Sequence, residues 1–259
     1  MAAVRLDFPA VKRVAPHPPL QKYYGDPSQR EQFVRDIFDE TAQWYDWTDR
    51  YLSFGSGPWY RRDVLVRHGL ASGMRMLDLA SGTGVVARAA STITTNIVAA
   101  DASIGMLVAP GEVAWPRVES KAEHIPFEDQ SFDFIVIGFA LRHFADLGVV
   151  FAECHRVLRP GGRLLILEIT TPESRLGRTL LGAYMGRVVP LAVRMRTRSA
   201  RAEKLYRYYW ETTRDCVRPE VILDTMRSVG FADASRTVSL GIFSEYLGLR
   251  APLAAPRAS

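Results

Sequence analysis

From residue 74 onward, short apolar runs alternate with segments of helical spacing. Apolar runs of four to eight residues bounded by turn signals predict strands, and apolar positions three and four apart predict helices. By this pattern residues 74–80, 96–101, 118–120, 132–139 and 163–168 are strands, while 84–91 and 147–158 are helices, the second stopped by Arg159-Pro160-Gly161-Gly162. The 132–139 run is apolar along its length, as a strand covered on both faces must be. Residues 219–229 form a helix that Gly230 ends, and 231–238 and 242–249 are the last strands. Strands alternating with helices give an α/β fold built on a doubly wound parallel sheet. Residues 170–216 break the rhythm with helical spacing and no strand, as expected of a cap set over a site.

Upstream, Phe33, Ile37, Thr41, Trp44, Thr48 and Tyr51 recur at helical spacing from Ser28. Residues 53–58 interrupt the pattern, and 59–68 resume it. The predicted organisation is an irregular tail over 1–27, a helical lid over 28–72, a core domain over 73–250 that carries the cap, and a second tail over 251–259. A chain of 259 residues with 47% hydrophobic composition buries a core without staples. Cys154 and Cys216 form no CxxC pair, so no metal is expected, and they suit a reduced, cytoplasmic setting. Prolines 9, 16, 18 and 19 break the N-terminus, so no leader is expected, and no run is long enough to span a bilayer.

The net charge is +5, with a basic concentration at Arg187, Arg194, Arg196, Arg198, Arg201 and Lys204. Arg194 to Arg201 lacks the interleaved aromatics of a single-strand stacking surface, and no nucleic-acid partner is expected. With Val188, Val189, Leu191, Ala192 and Val193 beside it, this run is a solvated helix face, a peripheral membrane contact or a partner surface.

The chemistry centres on Leu77-Asp78-Leu79-Ala80-Ser81-Gly82-Thr83-Gly84, a buried strand end followed by a turn of small residues and a helix. Gly82 and Gly84 put no Cβ between the backbone and a ligand. The helix start adds free N–H groups. Asp101, ending the second strand, can accept from two ribose hydroxyls or begin the helix through Met106. Gly82 to Ala87 also fits the G-x-G-x-x-A dinucleotide spacing, so this turn by itself leaves a nicotinamide cofactor open.

Further motifs separate the alternatives. They are Trp44-Tyr45-Asp46, Leu52-Ser53-Phe54-Gly55, Ala122-Glu123, Pro126-Phe127, Leu141-Arg142, residues 156–168, Ala183-Tyr184, Pro190 and Tyr206-Arg207-Tyr208. With the glycine turn, they resemble the ubiquinone/menaquinone-biosynthesis C-methyltransferase family from about Phe38 to Arg250. The resemblance implies a Rossmann-like, seven-stranded class I methyltransferase with an antiparallel final strand pair and S-adenosylmethionine as cofactor. It implies that Asp78, Ser81, Gly82, Thr83 and Gly84 line the amino-acid and ribose part of that donor. Asp101 would hold the ribose, Ala102 and Met106 would flank the adenine, Lys121 and Ala122 would meet its edge, and Gly138 would lie near the sulfonium. Two positions depart from the pattern. Lys121 replaces an Asn or Asp and offers no acceptor, leaving that contact to Glu123 or a backbone carbonyl. Gly138 replaces a small hydroxyl residue.

On the acceptor side, Gly138 to Phe144 lacks the Asn/Asp-Pro-Pro-aromatic motif of nucleobase amine methylation. The expected acceptor is an aromatic phenol- or quinol-like small molecule, methylated at carbon, with oxygen or nitrogen as alternatives. Arg142 matches the family's Leu-Arg-Asn, and His143 replaces its Asn. His143, with a pKa expected near working pH, is the candidate base, and Arg142 would favour the phenolate. His143 as a plain helix cap is the structural alternative. Tyr45 is a further catalytic candidate. Tyr51, Trp59, Tyr184, Tyr206, Tyr208 and Trp210 join it as candidate walls, two or three of which would touch substrate. His68, His124 and His155 are expected to be structural or surface residues, and His17 to lie in the irregular tail. Alternatives to methyl transfer are a non-methylating reaction on a bound donor, a nicotinamide-dependent oxidoreductase, and a non-catalytic subunit of a quinone-type complex. A homodimer is compatible with the sequence.

Overall fold

The computed structural model describes residues 11–52 and 55–252. Expectations for residues 1–10, Ser53, Phe54, the Tyr51 side chain and the chain beyond 252 fall outside them.

Seven strands form one sheet: β1 Met76–Leu79, β2 Ile97–Asp101, β3 Arg117–Glu119, β4 Phe132–Gly138, β5 Leu158–Ile169, β6 Phe231–Ser239 and β7 Phe243–Arg250. Their spatial order is β3-β2-β1-β4-β5-β7-β6. β1 to β5 pair in parallel, and β7 runs antiparallel to both neighbours. The helices are α1 Gln21–Tyr24, α2 Arg30–Leu52, α3 Gly57–Arg67, α4 Val85–Ala90, α5 Ile104–Val108, α6 Leu147–Val157, α7 Arg175–Ala183, α8 Val189–Thr197, α9 Ala200–Arg214 and α10 Pro219–Ser228.

Strand alternation decides what lies on each face. Leu77, Leu79, Ile135, Ile137, Leu164 and Ile166 face α6 and α10 through Val150, Phe151, Ile222 and Met226. Met76, Phe134, Val136, Leu165 and Leu167 face α3 and α4 through Val64, Leu65, Val86 and Ala90. Asp78 falls in the second phase, and so it meets α4. The sheet reverses its winding direction between β1 and β4. Beyond the C-terminal ends of those strands, helices cannot close the crevice, and a ligand site forms there. α2, α8 and α9 pack together over that edge.

Tyr184–Val188 is a π-helical turn that joins α7 to α8 without leaving the right-handed helical region. Its cause is local: Pro190 has no N–H to give the Gly186 carbonyl, and the chain widens just before it.

Three sequence expectations change. α6 does end at Val157, but Arg159-Pro160-Gly161-Gly162 lies within β5 rather than before it. Leu158 already pairs with Phe132, and the intervening residues bulge out before Arg163 rejoins opposite Phe134, with Gly161 at φ 82°. Residues 11–27 are held against the core rather than forming a loose tail. Val14 N–H donates to Asp146 Oδ1 at 3.2 Å, Leu147 N–H to Val14 O at 2.9 Å, and Val217 N–H to Pro16 O at 2.8 Å. His17 and Tyr24 are buried. Finally, Ser103 caps α5 by accepting from Met106 N–H, while Asp101 accepts from Ser103 N–H one step earlier.

Asp146 also caps α6 through Gly148 and Val149 N–H, so one carboxylate fixes a helix start and the N-terminal strap. Asp146→Ala should lower stability by about 1–2 kcal/mol in urea unfolding. It should also speed tryptic cleavage at Lys12 or Arg13 in the folded protein.

Candidate active site

The cavity above the β1–β4 crevice measures about 860 Å³. That is near the upper end of ordinary small-molecule sites. At its floor both strands leave the sheet through left-handed residues, Ala80 at φ 56° and Phe139 at φ 61°. Neither is glycine, so each stores conformational strain at the site.

Ala80 leads into the glycine turn. Gly82 has φ 55°, and a Cβ built on it would meet nothing within 4 Å, so the space above it is open. Asp101 Oδ2 accepts from Gly82 N–H at 2.7 Å and holds the turn against β2. Asp78 is fully buried. Its Oδ2 accepts from Ala87 N–H at 2.9 Å, while Oδ1 has no partner. Burial, assisted by Asp101, pushes the Asp78 carboxyl up to about 7. Asp101 is also raised, chiefly by burial and then by Asp39. Ser81 Oγ is likewise buried without a partner. Two orphaned acceptors and two raised carboxyls describe a site suited to a cationic, hydroxyl-bearing ligand.

Asp78, Ser81, Gly82, Asp101, Ala102, Met106, Lys121, Ala122 and Gly138 all line this cavity. Thr83 and Gly84, expected there too, do not. Thr83 Oγ1 donates to Asp46 Oδ1 of α2, and Gly84 lies against Trp115, 3.2 Å from where its Cβ would be. These two residues fasten the turn to the helices around it. The Lys121 ammonium pairs with Glu31 Oε1 of α2, which also lines the cavity. Glu123 Oε1 accepts from Ala145 N–H at 2.8 Å. Gly138 has its reason in α4: a Cβ there would come 2.7 Å from Val86 Cγ2.

The other end of the cavity is aromatic. Phe38 and Tyr45 from α2, Tyr60 from α3, Phe139, His143, Tyr206, Tyr209 and Phe243 line it. His143 stands on a 3-10 turn, Leu141–His143. Its ring meets Phe38 edge-on at 5.1 Å and lies nearly parallel to Tyr208 at 5.7 Å. Neither ring nitrogen has a hydrogen-bond partner among the described residues. Burial and the nearby Arg142, Arg30 and His17 drive its pKa well below the ordinary value. This corrects the expected tuning near working pH: His143 is neutral imidazole. Tyr45 is raised far above the usual phenol range by burial and by neighbouring Tyr209 and Tyr206, so it is a neutral phenol.

Arg142 does not reach the cavity. It is fully buried, its Nη1 donates to Glu168 Oε1, and its guanidinium lies 3.6 Å from the Tyr209 ring centre. Arg142 therefore backs a wall residue instead of touching a substrate. Among the expected walls, Tyr45, Trp59, Tyr184 and Tyr206 line the cavity. Tyr208 instead packs inward on Tyr23 and Phe33, and Trp210 abuts Gly182 and Gly186. His68 bonds Glu245 at 2.7 Å and His155 packs on Phe231, both structural. Tyr209 and Phe38 escaped the sequence reading, although helical phase carried the signal: Tyr206 and Tyr209 are three apart, as are Tyr45 and Thr48. His17, expected in an irregular tail, lines the cavity with its Nε2 3.3 Å from Arg30 Nη2.

The family model of the ubiE/COQ5 methyltransferase family matches residues 27–250. The chain belongs to this family. Demethylmenaquinone methyltransferase of Mycolicibacterium paratuberculosis is 34% identical over 225 residues, which is 85% of this chain and 94% of that protein. The enzyme of the same name from Clavibacter sepedonicus is 34% identical over 87% of this chain and 94% of its own length. Among solved structures, phosphoethanolamine N-methyltransferase 2 of Haemonchus contortus superposes with TM-score 0.61 at 17% identity, over 84% of this chain and 60% of that one. An Aquifex aeolicus S-adenosylmethionine-dependent methyltransferase gives TM-score 0.54 at 18% identity, over 87% and 99%. These structural likenesses show a class I methyltransferase fold.

As a member of the ubiE/COQ5 family, the protein is an S-adenosylmethionine-dependent methyltransferase. The nicotinamide reading of the Gly82 to Ala87 spacing ends there. The cavity suits this cofactor on its own evidence. The orphaned Asp78 Oδ1 and Ser81 Oγ suit an ammonium and a hydroxyl, Asp101 suits ribose hydroxyls, and buried Met106 with Ala122 offers an apolar slot.

The raised Asp78 carboxyl at the polar end of the cavity predicts pH-dependent donor binding. Its carboxyl is raised, so it is neutral below about 7 and charged above. A cationic donor binds the charged form. Affinity for S-adenosylmethionine should fall about tenfold per pH unit below 7 and level off above it, with proton release on binding in the acid range. Titration calorimetry in buffers of different ionisation enthalpy measures both effects, and Asp78→Asn should flatten the dependence. Separately, Glu168→Ala strands the Arg142 charge in the interior. It should cost about 3–5 kcal/mol in urea unfolding.

Proposed function

We propose that this methyltransferase transfers the methyl group to a ring carbon of a phenol- or quinol-type aromatic acceptor, in quinone or related small-molecule biosynthesis. The carrying observation is the aromatic end of the cavity. Phe38, Tyr45, Tyr206, Tyr209 and neutral His143 stand around one space continuous with the donor end. Such walls stack on a flat ring and exclude water. The two demethylmenaquinone methyltransferases, similar along most of the chain, support a quinol ring as acceptor.

The donor supplies an electrophilic methyl on sulfonium and leaves as the thioether. Transfer to carbon needs electron density that a phenolate has and a phenol lacks. His143 fits the task of accepting the acceptor's hydroxyl proton: it is uncharged, and both ring nitrogens are unengaged. Imidazolium formed there would be stabilised by the phenolate beside it. The ring carbon that gains the methyl then gives its own proton to solvent, restoring aromaticity, and His143 returns the first proton to the ring oxygen, so one proton is released overall. The buried tyrosines remain protonated and serve as walls and donors. Arg142 acts at one remove, by fixing Tyr209.

The test is transfer of labelled methyl from S-adenosylmethionine to a reduced demethylnaphthoquinol, compared with its oxidised quinone, a catechol and an amine. Carbon-bound label in the quinol product alone is expected. Label on an amine nitrogen, or none on the quinol, overturns the reading. His143→Ala should lower kcat by about 10²–10⁴-fold while the donor Kd is unchanged. Because His143 is already neutral, the wild-type kcat profile at saturating S-adenosylmethionine, where the Asp78-linked change in donor affinity does not enter, should show no histidine limb between about pH 6 and 8.

A further inference from the structure

We propose that the outer face of the α7–α8 helix docks on an anionic lipid bilayer and presents the cavity rim to the membrane. The helical path from Arg175 to Thr197 is a wall with two apolar sides. Leu181, Tyr184, Met185 and Val189 face the cavity. On the outer side, Leu176, Leu180, Val188, Leu191 and Met195 stand 52–70% exposed. Their spacing of four, then three and four, carries one stripe along the helix, with the π turn making up the phase between its halves.

The cavity rim also carries exposed apolar side chains. Trp59 at the start of α3 is 71% exposed, and Leu240 in the β6–β7 turn is 81% exposed. Both also line the cavity. Leucines at such exposure, joined by an exposed tryptophan, suit the interfacial zone of a bilayer better than bulk water.

Charge selects the occupant. The path carries Arg175, Arg178, Arg187, Arg194 and Arg196 and no Asp or Glu. Arg198 follows at its C-terminal end, where the chain turns left-handed at φ 54°. Arg194 lies 3.9 Å from Glu203 and Arg196 stands over the Trp47 ring; Arg175, Arg178 and Arg187 beside the exposed apolar stripe match anionic headgroups above acyl chains. No described helix is long and apolar enough to cross a membrane, so the contact is peripheral. The surface stands independently of the acceptor. Only its use, letting an acceptor with an apolar tail enter from the lipid through the rim, rests on the proposed function.

The full chain is sedimented with phosphatidylcholine vesicles with and without phosphatidylglycerol. Binding to the anionic vesicles, weakened by high salt, is expected. Leu180→Glu with Leu191→Glu should reduce partitioning by about tenfold or more. Arg175→Gln with Arg187→Gln should reduce it about fivefold per arginine. None of the four lines the cavity, so S-adenosylmethionine binding should be unchanged, which also reports correct folding. Absence of vesicle binding, or binding equal in both variants and wild type, overturns the proposal. Concentration-dependent self-association that the leucine variant abolishes, without vesicle binding, would assign the face to a second copy instead. Failure of methyl transfer to quinols would leave the vesicle result standing, so the two readings fail separately.

Discussion

The Arg142–Glu168 pair holds the acceptor half of the molecule together. Both side chains are fully buried, and burial alone would penalise each charge severely. The pair persists because several elements converge on it. Arg142 follows β4, Glu168 lies near the end of β5, and Tyr209 of α9 covers the guanidinium. Ile169 N–H donates to Glu168 Oε1 at 2.8 Å, and Arg30 of α2 donates to the Arg142 carbonyl at 3.2 Å. A single buried cation thus registers two central strand ends, the long N-terminal helix and the innermost cap helix. Tyr209 and His143 take their positions from it.

The donor half rests on backbone geometry instead. Asp78 faces α4 because strand alternation puts it there, and Asp101 reaches across to the glycine turn. The two halves of the cavity thus differ in kind. One is polar, carboxylate-bearing and fixed by main-chain hydrogen bonds. The other is aromatic and fixed by side-chain packing against one ion pair. The first suits a cationic nucleoside and the second a flat aromatic ring, with Ala80 and Phe139 lining the same cavity.

Local patterns carried the strands and the glycine turn, since a buried parallel strand must be apolar and a tight turn must be small. The seven strands and their antiparallel final pair came with the family resemblance. Other features were hidden because their causes are distant or depend on phase. The ordering of residues 11–27 comes from hydrogen bonds to Asp146, Leu147 and Val217, and no periodicity announces such partners. The motif identified Arg142 and His143 as a pair. Successive side chains on a 3-10 turn diverge by about a third of a turn, so one points into the core and the other into the cavity. The choice of Tyr208 over Tyr209 failed for the same reason on α9. The depressed His143 pKa required knowing that the ring is buried, with Arg142, Arg30 and His17 around it.

Gly138 and Val86 show a constraint on how this site can change over time. A Cβ at 138 and the Val86 γ-methyl claim the same 2.7 Å of space. Position 138 is therefore closed to a larger residue while valine stays at 86, and opening it first requires a smaller residue on α4. The two positions are coupled even though neither residue bears a charge or a reactive group. Room for a hydroxyl residue at 138 therefore has to be made on a different element, α4.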